Sequence, residues 1–342
     1  MKSHPDAVPA RYSEALADGR VRCRLCPHRC LIAPGKRGVC AVRENRQGTL
    51  VSLSYGRIVA AHVDPIEKKP LFHFLPGSTS LSLAAAGCNL SCRHCQNHDI
   101  SQSPRQGRGL LAEYLPPEEA AAAAHSSGAA SLSFTYTEPT VFFEWAHDTA
   151  KLAAAAGIRS VFVTNGYTEQ QPIEDIAPVL AAANVDLKSF RDEFYRKVCG
   201  ARLQPVQDTI ARMRRLGIWV EVTTLLIPGE NDSAEELKEA AAWLASVDRD
   251  MPWHLSRFHP DFEMLDHPAT PVESLRRAYD IGREAGLRFV YLGNVPGSGG
   301  EDTLCPGCGE RLIERRGFFV AANRLERGRC PRCGEAIAGI WA

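Results

Sequence analysis

Between residues 80 and 292, short apolar, β-branched runs alternate with longer stretches whose apolar residues recur at helical spacing. That alternation predicts βα units on a parallel sheet. Strands are expected at 81–86 (LSLAAA), 130–136 (ASLSFTY), 159–165 (RSVFVTN), 184–188 (NVDLK), 219–227 (WVEVTTLLI), 253–258 (WHLSRF) and 288–293 (RFVYLG). The helices between them carry end signals. TVFFEWAHDTAKLAAAAG closes on Gly157 and PVQDTIARMRRLG on Gly217, each suited to a left-handed cap after the last turn. DSAEELKEAAAWLASV opens on Asp232 or Ser233 as a cap and has acidic residues in its first turn. The aromatic residues of VFFEWA belong to the core. Six βα units with a closing strand fall short of the eight of a full barrel, so the expected fold is α/β, a partial (β/α)6 barrel open on one side.

Outside this span the periodicity fades. The expected organisation is a Cys-rich module at 1–50, a connector at 51–79, the barrel at 80–295, a Gly-rich linker at 296–302 and a second Cys-rich module at 303–342. Of the 342 residues 44% are hydrophobic and 23% charged, enough apolar material for a buried core. The first twenty residues lack the apolar centre of a secretion signal, and no segment approaches the ~18 apolar residues that cross a bilayer. A cytoplasmic protein without membrane contact is expected, and in a reducing compartment its twelve cysteines read as metal ligands rather than disulfides.

Formal net charge is zero, yet residues 1–50 hold ten Lys/Arg against four Asp/Glu, and residues 303–342 hold seven against four. Four thiolates on a divalent metal add about −2 at each end and remove much of that excess. Nucleic-acid binding is therefore not expected.

The cysteines fall into three sets. Cys305, Cys308, Cys330 and Cys333 have the C-x2-C…C-x2-C spacing of a zinc ribbon, a closed tetrahedral site whose zinc is structural. Cys23, Cys26, Cys30 and Cys40 also number four, with Gly35 and Gly38 to supply turns; spacing leaves zinc and a second iron–sulfur cluster open, with zinc preferred. His28 is an alternative ligand there, although a solvated histidine is the plainer reading. Cys88, Cys92 and Cys95 stop at three. A cubane 4Fe-4S cluster on three thiolates leaves one iron open for a substrate or cofactor, and Cys88 follows the first strand at the mouth where such barrels place their chemistry.

GCNLSCRHCQN resembles the radical S-adenosylmethionine (SAM) signature. DPIEKKPLFHFLPG, FTYTEPTVFFEW, VTNGY, DLKSFRDEFYRKVCG and LLIPGENDS are similar, in order, to segments of the glycyl-radical-enzyme activase-like branch. With the tail CPGCGERLIERRG…GRCPRCGEAIAGIW, the chain resembles the radical SAM component of the AmmeMemoRadiSam system over nearly its whole length. The resemblance implies reductive cleavage of SAM to a 5′-deoxyadenosyl radical that abstracts hydrogen from an unknown substrate. It further implies an electron donor such as flavodoxin or ferredoxin, and Memo-like and Ammecr-like partners.

Site residues follow from position and resemblance together. Glu138 stands where the family contacts the SAM amino group, without the family's Gly-Gly-Glu, so the backbone of Thr135 to Thr137 is an alternative. Thr164, Asn165 and Gly166 end the third strand and are expected to line the ribose or methionine side. Asp186 and Lys188 point the same way by the strand's period of two, Lys188 towards the SAM carboxylate or a substrate anion. His259 resembles the activase histidine near SAM. Asn97 is placed to hydrogen-bond cluster or SAM, or to cap its loop. Cys199 belongs to no set and is an inert buried thiol or a participant in the radical step. Two rival readings stand beside this one: a glycyl-radical-enzyme activase, for which neither extra cysteine module is needed, and a noncatalytic metal-ribbon adaptor for protein or RNA, which has no use for an incompletely ligated cluster.

Overall fold

The computed structural model describes residues 7–108, 112–295, 297 and 299–342. Its centre is a nine-stranded sheet. In chain order the strands are β1 (Arg57–Pro65), β2 (Thr79–Ala85), β3 (Glu113–Tyr114), β4 (Ser131–Phe134), β5 (Arg159–Thr164), β6 (Leu180–Asp186), β7 (Trp219–Leu226), β8 (Trp253–Arg257) and β9 (Val290–Gly293). In space they run β9-β8-β7-β6-β5-β4-β2-β1-β3. All neighbours from β2 to β9 pair parallel, with helical crossovers between them, which gives the six expected βα units and leaves the sheet open.

The helix signals act as read. Phe143–Ala155 is followed by Gly157 at φ 76° and Leu203–Arg215 by Gly217 at φ 83°. The Ser233 hydroxyl, rather than Asp232, caps Ala234–Val247 by accepting from Glu236 N. Phe142, Phe143 and Trp145 are all but fully buried.

The ends differ from the sequence picture. The 51–79 stretch contains β1, which pairs antiparallel with β2 and adds a strand that hydrophobic periodicity missed. Its burial alternates poorly because His62 and Val63 are exposed. Residues 8–52 contain two small three-stranded sheets, and Val21, Leu25, Ile32, Val42 and Leu50 join the same apolar core as the barrel. The linker expected at 296–302 lies partly outside the described residues.

The C-terminal module is fastened to the N-terminal end of the barrel strands by a buried arginine. Arg315 donates to the carbonyl of Phe72 at 2.8 Å and to Thr303 Oγ1 at 2.8 Å, lies over the Phe72 ring at 4.2 Å, and faces Glu67 at 3.7 Å. Nearby, Glu221 accepts from the backbone N–H of Phe72 and His73, from Trp219 Nε1 and, at 2.7 Å, is paired with His254. His73 in turn holds the chain end, exchanging bonds of 2.7 Å with Ala338 and Ile340. Removing the arginine leaves Glu67 buried without its cation. Arg315→Ala is therefore expected to cost about 3–5 kcal/mol, read by urea unfolding, and to speed proteolytic release of the C-terminal module.

Candidate functional site

The cysteine loop begins at a glycine that nothing else replaces. Gly87 has φ 101°, and a Cβ there would sit 2.9 Å from Val42 Cγ1. Beyond it the chain is tied down from several sides. Leu90 N and Asn165 Nδ2 both donate to Cys88 Sγ, at 3.4 and 3.5 Å. The same Asn165 amide donates to Asn89 Oδ1 at 2.9 Å. Arg105 donates to the carbonyls of Cys88 (2.8 Å), Leu90 (2.9 Å) and Val39 (2.7 Å). On the far side, Ser91 N and Arg93 N donate to the carbonyls of Cys199 and Val198. Cys95 Sγ lies 3.2 Å from Ser101 Oγ.

Burial, with the charge of Glu138 behind it, pushes the Cys88 thiol well above its usual range; contact with Cys199 and burial do the same for Cys92. Thiols so placed need a compensating cation to ionise, and iron would supply it. The donor set fits a three-thiolate cluster.

These cysteines form one wall of a cavity of about 390 Å³ at the C-terminal ends of the parallel strands. The lining also takes in Thr135 to Thr137 after β4, Thr164 and Asn165 at the end of β5, and Asp186 and Lys188 at and beyond the end of β6. Lys188 Nζ meets Asp186 at 2.9 Å, as the period of two requires. Burial alone would lower the Lys188 ammonium; the Asp186 carboxylate opposes it, joined by the sulfurs of Cys92 and Cys199 when ionised, and the balance raises it well above the usual lysine range.

A second charged group closes one side of the cavity, and sequence reading missed it. Asp64 on β1 accepts from Lys69 at 2.6 Å, from Lys68 at 2.9 Å and from the Tyr136 hydroxyl. Burial would raise the Asp64 carboxyl, but these donors pull it far below the carboxylate range. Burial lowers Lys69, and Asp64 opposes it. Tyr136 holds φ 65°, rare outside glycine, and Lys69 lies 4.6 Å from its ring. The pair of lysines was visible in DPIEKKPLF, but only a folded chain shows them turned inward. His94, between two of the cysteines, also lines the cavity; burial lowers its imidazole to about 3, and its Nδ1 has no partner among the described residues.

Of the anticipated site residues, Thr164, Asn165, Asp186, Lys188 and Asn97 meet in this cavity with the three cysteines. Glu138 is not among its walls. It is fully buried, accepting from Thr140 N and Oγ1, from Thr164 Oγ1 at 2.7 Å and from Asn165 N at 2.8 Å, so its lone pairs brace the loop that holds Cys88. Thr135 to Thr137, the alternative, do face the cavity. Gly166 (φ 69°) sits behind Asn165, where a Cβ would strike Val185 at 2.8 Å. His259 is exposed and lies 3.1 Å from Gln96 at the rim. Cys199 is fully buried behind Cys92 rather than in the cavity. His28 is half-buried and bonded to the Asn89 carbonyl at 2.8 Å.

The terminal cysteines also converge. The ligand sulfurs of Cys305, Cys308, Cys330 and Cys333 all lie within 4.8 Å of one another, with Cys305 and Cys333 at 3.5 Å and Cys308 and Cys330 at 3.7 Å. A tetrahedron with metal–sulfur bonds of about 2.3 Å has edges of about 3.8 Å, so this quartet could hold one metal ion. Cys23, Cys26, Cys30 and Cys40 surround a second, smaller chamber.

Comparison with known proteins agrees with this geometry. The radical SAM superfamily pattern matches residues 83–244. An uncharacterized protein of Methanocaldococcus jannaschii, MJ0808, is 45% identical over 331 residues, 96% of this chain and 98% of that protein. The pyruvate formate-lyase-activating enzyme of Clostridium pasteurianum is 24% identical over 162 residues, 47% of this chain and 67% of that one. Among solved structures, a radical SAM methyltransferase from Sphaerobacter thermophilus superposes with a TM-score of 0.51 at 16% identity, covering 85% of this chain and 78% of the other. Streptococcus suis SuiB bound to S-adenosylmethionine gives 0.50 at 14% identity, covering 67% and 53%. With three cysteines at the barrel mouth and a full-length relative at this identity, the chain carries a radical SAM domain over residues 83–244 and belongs to one family with MJ0808.

Proposed function

We propose that the protein binds a 4Fe-4S cluster through Cys88, Cys92 and Cys95 and uses SAM bound in the cavity to start a hydrogen abstraction. The observation that carries this reading is that three thiols, those of Cys88 and Cys92 buried and that of Cys95 half-buried, line a cavity of about 390 Å³ together with a cation, Lys188. When bound, the cluster supplies one electron to the sulfonium of SAM, whose C–S bond breaks to give methionine and a 5′-deoxyadenosyl radical.

The chain's own residues bind, orient and exclude water. Lys188 is held protonated to receive the SAM carboxylate, and Asp186 fixes where its ammonium points. The strained turn at Tyr136 presents the backbone of Thr135 to Thr137 to the SAM amino group, in the role that Glu138, being spent on the scaffold, does not fill. Lys68, Lys69 and Tyr136 form the substrate side. The C-terminal quartet carries structural zinc. Activation of a glycyl-radical protein is the second reading, favoured by the similarity to the pyruvate formate-lyase-activating enzyme. The AmmeMemoRadiSam assignment, with Memo-like and Ammecr-like partners and a flavodoxin or ferredoxin donor, stays within the proposal. So does a cytoplasmic location; no helix of the described residues is long and apolar enough to cross a membrane.

Two measurements check the reading. Protein reconstituted anaerobically with iron and sulfide, then given SAM and dithionite, is expected to form 5′-deoxyadenosine, while a Cys88→Ala/Cys92→Ala/Cys95→Ala variant forms none. If wild type with cluster and SAM bound also forms none, even with candidate partners present, the noncatalytic adaptor takes precedence. Lys188→Met is expected to weaken SAM binding by about 10–100-fold, since a hydrogen bond to a charged group contributes about 1.5–3 kcal/mol, with iron content unchanged; equilibrium dialysis with labelled SAM reads it, and an unaltered affinity removes Lys188 from the site.

A further inference from the structure

The N-terminal cysteines are accounted for by neither the barrel chemistry nor the ribbon. Cys23, Cys26, Cys30 and Cys40 point into one chamber of about 20 Å³, whose wall also includes Arg43 and Asn89. Arg43 is 1% exposed and its charge is taken up by Glu144. Its Nη1 donates to the Arg11 carbonyl at 3.0 Å and lies 4.0 Å from Cys23 Sγ. Its Nε is buried and has no partner among the described residues. A buried guanidinium whose Nη1 lies 4.0 Å from Cys23 Sγ sets positive charge beside the four cysteines, where it favours bound negative charge.

The sulfur spacing separates this set from the ribbon. Among the described residues, the C-terminal quartet is the group whose ligand atoms all close to within 4.8 Å; neither the N-terminal four nor Cys88, Cys92 and Cys95 form such a group. One ion bonded at about 2.3 Å draws four sulfurs to about 3.8 Å apart and fills the space between them. Sulfurs not drawn together to within 4.8 Å suit the wider ligand spacing of a core of several metal atoms. In this the N-terminal set matches the radical SAM cysteines, not the ribbon.

The two sets are lined by adjacent residues. Cys88 lines the large cavity and Asn89, the next residue, lines the small one. A Cβ on Gly87 would lie 3.2 Å from the Cys40 carbonyl oxygen. Arg105 joins the Val39 carbonyl to that of Cys88, and His28 reaches the Asn89 carbonyl. Asn165 contacts both Asn89 Oδ1 and Cys88 Sγ. We infer that Cys23, Cys26, Cys30 and Cys40 hold a second iron–sulfur cluster, adjacent to the one on Cys88 and serving as its electron entry. This rests on the radical SAM reading of Cys88, Cys92 and Cys95. A low-potential one-electron carrier protein reduces the N-terminal cluster; the same electron then reduces the Cys88 cluster and the first returns to its oxidised state, with no atoms exchanged.

The test reads metal content and magnetic spectra of the full chain rather than turnover. After anaerobic reconstitution, the Cys88→Ala/Cys92→Ala/Cys95→Ala variant is expected to keep about four iron and about four sulfide per chain and to give an electron paramagnetic resonance signal on reduction. Cys26→Ser/Cys30→Ser is expected to keep the other cluster, whose signal responds to SAM. Wild type is expected to hold both, with spin–spin broadening absent from either variant. Zinc in place of iron in the first variant, with ribbon zinc unchanged, overturns the inference even if wild type cleaves SAM. Iron in that variant beside a wild type whose spectrum ignores SAM leaves the second cluster standing and removes the radical SAM reading instead.

Discussion

The need to neutralise buried thiols governs the mouth of this barrel. Cys88 and Cys92 are held where water does not stabilise their charged forms, and the loop that carries them is fixed by Asn165, by Arg105 and by the carbonyls of Val198 and Cys199. In the proposed cluster iron supplies the compensating charge, and three ligands leave it one open position. The fully buried Glu138 carries the same constraint one layer back, since its oxygens fix the Thr164–Asn165 turn that reaches Cys88.

The two ends of the barrel divide the work. At the C-terminal ends of the strands, short side chains and backbone surround an open cavity with charges held in pairs, Lys188 with Asp186 and the two lysines with Asp64. At the opposite end, Glu221, His254, Arg315 and Glu67 make a buried polar floor on which the C-terminal module rests. A buried polar network of that kind fixes the strand ends and leaves the mouth free to carry function.

Much of this was legible in the sequence, for identifiable reasons. The seven parallel strands were read because strands buried on both faces leave continuous β-branched runs, and Asp186 and Lys188 were paired because a strand repeats every two residues. The direction in which Glu138 points was not legible: the left-handed turn at Tyr136 precedes it, and nothing local in TYTEP signals φ 65° at a tyrosine. Nor was β1, whose exposed His62 and Val63 blur its alternation, and with β1 went Asp64 and the two lysines beside it. The N-terminal residues looked too sparse for a core because their apolar side chains complete the barrel's core instead of forming their own.

The most direct test is whether SAM binds the open iron. Electron paramagnetic resonance of the reduced, reconstituted protein, recorded with and without SAM labelled at its amino nitrogen and carboxylate, reports coordination itself and needs no substrate. The expected result is a changed signal with hyperfine coupling to both labelled groups. A signal that stays the same, without coupling, while SAM is bound would contradict the assignment of Cys88, Cys92 and Cys95 to a site-differentiated cluster.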